Sequence, residues 1–195
     1  MNKEEKKEEI KIIEKLEKPM GDDDIRKYLP NPKIITNKEL LKINDIDELF
    51  DPKNYVDYYI ILFLDAPNKG HWTALLKYGD KKKGIIEFFD SYGGTPDKVY
   101  DYCPLKIRQQ LGTNSDHLCL LLSKVPYDVI YNPIKYQAEN NEEFDVNTCG
   151  RHCTYRIMQL LYKGRTLPEY YEYMSEAKKF YAEPYDLIVS KLISK

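Results

Sequence analysis

The sequence predicts an α+β fold: a central, mostly antiparallel sheet flanked by helices, with a cysteine opening a buried helix. Three observations predict it. Runs dense in β-branched and aromatic residues, broken by turn-rich stretches, cluster between residues 56 and 90. Helical patterns stand on either side of that cluster. One of them, from Cys149 to Lys163, keeps apolar or small residues at helical spacing and is stopped by Gly164.

The elements follow in order. Residues 3–18, "KEEKKEEIKIIEKLEK", read as a charged helix with a thin apolar stripe at Ile10, Ile13 and Leu16. A solvated or loosely docked arm is the plain reading, and a partner-binding helix the sharper one. Pro19 and Gly21 end it, and Asp22 can cap a short helix through Tyr28. "LPNPKIITNKELLKI" reads as a loop and another short helix. Strands are predicted at 56–65, 71–78 and 84–90, with a fourth at 125–132. A helix falls within 97–112, another spans 149–163, and 168–194 is mostly helical. The predicted organisation is an N-terminal arm with short helices packing on the core (1–55), the core itself (56–163), and a helical extension of the same domain (164–195).

Composition narrows the classes. At 195 residues the chain suits one domain with a sizeable core. A net charge of −2 and a pI near 6.0 give no pull toward nucleic acid or anionic lipid. No apolar run approaches the roughly 20 residues that a membrane helix needs, and "MNKEEKKEEIKII" does not resemble a signal peptide. Four cysteines in such a chain fit a reducing compartment better than a disulfide framework.

The chemistry centres on "VNTCGRHC". On the predicted helix Cys153, Ile157, Leu160 and Leu161 share the buried face with Cys149, so Cys153 reads as inert core. Cys149 sits at or just before the first turn, where unpaired N–H groups and the helix dipole favour a thiolate. Gly150 presents no side chain to an approaching carbonyl, and the N–H groups around it can hold an oxyanion. A structural cysteine at a helix start is the alternative.

A cysteine nucleophile needs a base, and there are three histidines. His152 points away from the Cys149 face and reads as a surface or capping residue. His117, in "TNSDHLCLLL", lies near a loop or strand start with nothing to mark it. His71 and Asp90 flank the "GDKKKG" connection. A regular hairpin turning between Asp80 and Lys81 would set them directly opposite each other on one face. A carboxylate there orients an imidazole and stabilises its protonated form. An exposed cross-strand His–Asp pair is the alternative.

Taken in order, "GHWTAL", "FFDSYG", "YNPIKYQ" and "NTCGRHC" resemble the adenain-like and SUMO-protease group of cysteine peptidases, over residues 56–163. The flavour is that of maturation proteases of virophages, polinton-like elements, adenoviruses and large DNA viruses. The resemblance implies Cys149 as nucleophile, His71 as general base, Asp90 as its orienting acid and Gln137 as oxyanion donor. It implies Trp72 and Gly150 in substrate binding, with Trp72 packed beside His71. It implies a thiol endopeptidase cutting after small residues, glycine above all, without a metal or other cofactor. Capsid or scaffold precursors would be its protein substrates, in the virion and the infected-cell cytoplasm. An activating peptide is a further implied partner, with Cys103 as one place to cross-link it; a membrane is not, and the near-neutral charge argues against a nucleic-acid cofactor. Deconjugation of ubiquitin-like modifiers, or a related acyl transfer, would use the same site. The chain departs from the group in "AENNEEFDVNT", a long insert between Gln137 and Cys149. Gln137 can still reach the oxyanion if the insert loops out; otherwise Asn140, Asn141 or Asn147 takes its role, or the backbone alone suffices.

A non-enzymatic reading would place zinc on Cys149, His152 and Cys153 with Cys103 or Cys119. The loose C-x3-C spacing and the missing second cysteine pair argue against it.

Overall fold

The computed structural model describes residues 3–51, 53–79, 84–113, 116–140 and 145–193. Eight helices among these residues run α1 Lys3–Glu17, α2 Asp22–Arg26, α3 Asn37–Leu40, α4 Leu105–Leu111, α5 His117–Leu122, α6 Cys149–Lys163, α7 Leu167–Tyr181 and α8 Tyr185–Leu192. Five strands run β1 Lys33–Thr36, β2 Asp57–Ala66, β3 Lys69–Gly79, β4 Gly84–Phe89 and β5 Asp128–Tyr131. The chain forms two compact units, Asn31–Ile134 and Met1–Pro30 with Lys135–Lys195.

The first unit holds the whole sheet, in the order β1-β2-β3-β4-β5. Its long ladders, β2–β3 and β3–β4, are antiparallel, and β1 and β5 add short parallel edges. This bears out the predicted α+β class with its largely antiparallel centre. The strand β1 lies where a loop was expected: "KIIT" is too short to show a period, and pairing with β2 is what holds it extended. Thr36 then caps α3, accepting from the Glu39 N–H at 3.1 Å while the Glu39 carboxylate accepts from the Thr36 N–H at 2.8 Å. The stretch "HLCLLL" is helix α5 rather than a loop or strand start. Its Leu118, Leu121 and Leu122 fall on one face at i, i+3 and i+4 and join Ile61, Phe63, Leu75, Ile86 and Phe88 in the core. His117 begins that helix and donates from Nε2 to the Ile43 carbonyl at 2.7 Å.

The second unit is helical. Helix α8 packs against α1, α6 and α7, and α2 against α6. The predicted α6 is present with the expected stop: Gly164 takes φ 65°, and the last carbonyls of α6 accept from the Gly164 and Arg165 N–H groups. Its burial departs from the single apolar face expected, since Gly150 through Ile157 are all buried. The buried guanidinium there is tolerated because it has partners, whereas Thr154 Oγ1 is buried with no hydrogen-bond partner among the described residues. Arg156 donates to the Arg165 carbonyl at 3.0 Å and lies 5.0 Å from the centre of the Tyr170 ring. The charged N-terminal helix is docked at its C-terminal end. Leu16 is buried, while Ile10 remains 54% exposed. Asn147 clasps this end of α1, donating from its backbone to Leu16 O and from its side chain to Glu17 O, both at 2.8 Å.

Candidate active site

Strand β3 presents His71, and Gly70 makes that placement possible. A Cβ at position 70 would lie 2.0 Å from the Phe63 carbonyl oxygen, so only glycine lets β2 and β3 close up beside the irregularity at Leu64 and Ala66. The β3–β4 ladder runs from Ala74 opposite Phe89 to Gly79 opposite Gly84, two residues out of the predicted register. Continued one step, it sets Thr73 rather than His71 across from Asp90. Side chains alternate with a period of two, so this shift keeps His71 and Asp90 on the same face and turns direct opposition into a diagonal. The turn that was expected to set the register, residues 80–83, lies outside the described residues. His71 Nε2 and Asp90 Oδ1 meet at 2.7 Å.

The pair is enclosed. The His71 side chain is 10% exposed and that of Asp90 1%. Tyr92 stacks on the imidazole at 4.9 Å, and Tyr102 meets it edge-on at 5.3 Å. Asp90 Oδ1 also accepts the Tyr92 N–H at 2.9 Å, whereas Oδ2 is buried with no hydrogen-bond partner among the described residues. Asn132, at the end of β5, holds the carrier loop. Its Nδ2 donates to the carbonyls of Asp90 and Ile134, and its Oδ1 accepts the Ile134 N–H. The turn after Asp90 needs glycine at Gly93, with φ 77° and Pro133 O only 3.0 Å from where a Cβ would sit. With Nε2–H donating to Asp90, a neutral His71 carries its basic lone pair on Nδ1.

The helical unit presents the thiol. Cys149 is the first residue of α6 and partly exposed, with Thr148 as N-cap and Gly150 next in the helix. Gln137 is buried and donates from Nε2 to the Val146 carbonyl at 2.6 Å, using one of that nitrogen's two hydrogens. Asn140 Oδ1 accepts the Val146 N–H at 2.8 Å, and the side chain of Asn147 is committed to α1. Asn141 lies outside the described residues. His152 is not the surface or capping residue expected: it is fully buried and hydrogen-bonded to Asp186 at 3.0 Å.

His71 and Asp90 therefore come together within the sheet unit, and Gln137, Cys149 and Gly150 belong to the helical one. Trp72 follows His71 along β3 and is buried, and the pleat sends its ring to the other face of the sheet. Cys153 is fully buried, as expected of core. Among the described residues no group of three His, Cys, Asp or Glu side chains is placed to hold a metal ion, and no helix is long and apolar enough to cross a membrane. Three residues of the site escaped the sequence reading. Tyr92 and Asn132 sit inside the stretches "FFDSYG" and "YNPIKYQ", which did mark the region, while nothing around Tyr102 marks it.

No family model matches the chain. It is 34% identical over 185 residues to uncharacterized protein V9 of Sputnik virophage, an alignment covering 94% of this chain and 98% of that one, and it belongs to the family of that protein. Solved structures with a similar outline include the central domain of uncharacterized Lpg1148 protein from Legionella pneumophila. That likeness has a TM-score of 0.41 and 16% identity, over 77% of this chain and 81% of the other. A de-sumoylating protease matches with a TM-score of 0.38 and 12% identity, over 88% and 72%. The Rickettsia bellii effector protein RickCE matches with a TM-score of 0.34 and 16% identity, over 82% and 56%.

Proposed function

We propose that this chain is a thiol endopeptidase in which Cys149 is the nucleophile, His71 the general base and Asp90 the residue that orients His71. The observation that carries the reading is the enclosed His71–Asp90 hydrogen bond at 2.7 Å, in a chain that also opens a helix with Cys-Gly. A buried carboxylate with one oxygen unsatisfied costs stability and calls for an explanation, and a catalytic role supplies one.

In this reading His71 Nδ1 takes the proton from Cys149, and the thiolate attacks the scissile carbonyl. The carbonyl π pair moves to oxygen, where the N–H groups at the start of α6 and the Gln137 side chain receive the negative charge. As the C–N bond breaks, His71 gives its proton to the leaving amine. Water, deprotonated by His71, then releases the acyl group from sulfur. The sequence resemblance supplies the preference for glycine before the cut; its expectation that Trp72 packs beside His71 is not carried over, because the alternation along β3 turns Trp72 to the opposite face. The virophage relative fits a virus-associated protein, and capsid or scaffold precursors processed during virion maturation are the substrates we assign.

The test is cleavage of capsid precursors and of modifier conjugates by wild type, Cys149→Ala and His71→Ala. Precursor cleavage after glycine that both variants abolish supports the reading. Cleavage of conjugates alone would move the substrate to ubiquitin-like modifiers, and wild-type activity that survives Cys149→Ala would overturn the site.

A further inference from the structure

Asp186, near the start of α8, makes more hydrogen bonds to the surroundings of Cys149 than packing alone requires. It is buried, and both of its oxygens are used. Oδ1 accepts from the Thr148 hydroxyl and, at 3.0 Å, from His152 Nε2; Oδ2 accepts the Ala138 N–H at 3.0 Å. The positions of these donors matter. Thr148 immediately precedes Cys149, and Ala138 immediately follows Gln137. His152 lies one turn beyond Thr148, and its ring stacks at 6.0 Å on Tyr136, which immediately precedes Gln137. A single carboxylate thus ties the two segments that carry the nucleophile and the oxyanion donor.

We propose that Asp186 is a positioning residue that sets Gln137 and the N–H groups at the start of α6 at a fixed separation, so that both reach one oxyanion. The inference deepens the peptidase reading and rests on it. A carboxylate suits this position because it is acceptor-only and can meet three donors from two directions. Asparagine has nearly the same shape, but it can keep the Ala138 N–H only by turning its N–H2 group toward Thr148 and His152, which forces the hydroxyl to accept and moves the imidazole proton to the buried Nδ1, where no acceptor waits among the described residues. Thr148, the N-cap of α6, and His152 within it are then the clamp's attachments on that side, and both are fully buried.

Two reagents separate positioning from simple structural support. Iodoacetamide alkylates a thiolate without forming an oxyanion. A peptide aldehyde ending in glycinal adds the sulfur to its carbonyl carbon, the π pair goes to oxygen, and the thiol proton ends on that oxygen. Only the second reaction uses the oxyanion donors.

In the full chain, Asp186→Asn and Thr148→Val should each weaken glycinal binding by about 10-fold or more, a fraction of what losing an oxyanion donor outright costs. Cys149 alkylation should stay within about 2–3-fold of wild type, because the thiol and its base are untouched. Thr148→Ser, which keeps the hydroxyl, should bind like wild type. Unchanged glycinal affinity in both losing variants would overturn the clamp, as would glycinal affinity and alkylation falling together. If wild type forms no thiohemiacetal, the peptidase reading fails, and hydrogen exchange at the Ala138 amide in Asp186→Ala then decides the clamp alone. Exchange at least about 10-fold faster upholds the tie between the segments, since that amide loses its acceptor. Unchanged exchange overturns it.

Discussion

His71 and Asp90 are joined at 2.7 Å although the ladder between their strands does not set them opposite each other. The contact is diagonal, and it closes because the chain turns after Phe89 and Asn132 holds that turn in place. The expectation that follows is that the pair serves chemistry more than stability. Asp90→Asn keeps an oxygen that can accept from His71 and the Tyr92 N–H and puts an N–H2 group where Oδ2 has no partner among the described residues, so one unsatisfied group replaces another and stability should change little. Its kcat should fall by about 10²–10⁴, the loss seen when an orienting carboxylate becomes an amide. Denaturant midpoints and peptide hydrolysis measured on the same preparation check both halves.

Asn132 is the neighbour whose removal should cost stability directly. Asn132→Ala leaves the Asp90 and Ile134 carbonyls and the Ile134 N–H without their side-chain partner. A loss of about 1–3 kcal/mol is expected for each buried group left unsatisfied. Urea unfolding measures it. A shift below about 0.5 kcal/mol, the range of ordinary surface substitutions, would show that water replaces the amide.

Gly70→Ala tests the close approach that sets His71 in place. The new methyl would lie 2.0 Å from Phe63 O, which is backbone and cannot swing aside. Destabilisation of about 1–3 kcal/mol follows from forced overpacking. A fall in turnover beyond what the unfolded fraction explains should accompany it, because β3 must shift next to His71.

Asp186 should make the helical unit sensitive to acid. Burial alone would raise its carboxyl pKa, but hydrogen bonding and charge from His152, with the Thr148 and Ala138 bonds, hold it below the ordinary 3.8. The stability this contributes is complete above that ordinary value and is lost as pH falls through the lower folded value. Chemical unfolding between about pH 2 and 6 should therefore show a steeper acid limb for wild type than for Asp186→Asn.

Much of the architecture was legible because its signals are local. The β-branched and aromatic density of the three long strands, the Gly164 stop and the small buried Cys153 all follow from neighbours in sequence. What was not legible depends on distant partners. Four residues of "KIIT" become a strand only beside β2, and "HLCLLL" becomes a helix by burying three leucines in the sheet's core. The His71–Asp90 contact was anticipated from the wrong register and survived because a shift of two preserves the face. His152 was misjudged for the same reason as Asp186 was overlooked: a helix position read as outward faces another helix, and its partner Asp186 lies 34 residues further along the chain.

The measurement that tests the central claim most directly is alkylation of the four cysteines by iodoacetamide across about pH 5–9, read by mass spectrometry in wild type and His71→Ala. Burial raises the thiol pKa of Cys103 and of Cys119, so both serve as slow internal references. Cys149 alone should react rapidly at about pH 6, well below the range of a free thiol, and His71→Ala should remove this advantage. A Cys149 that reacts no faster than Cys119, or that keeps its advantage without His71, would contradict the claim.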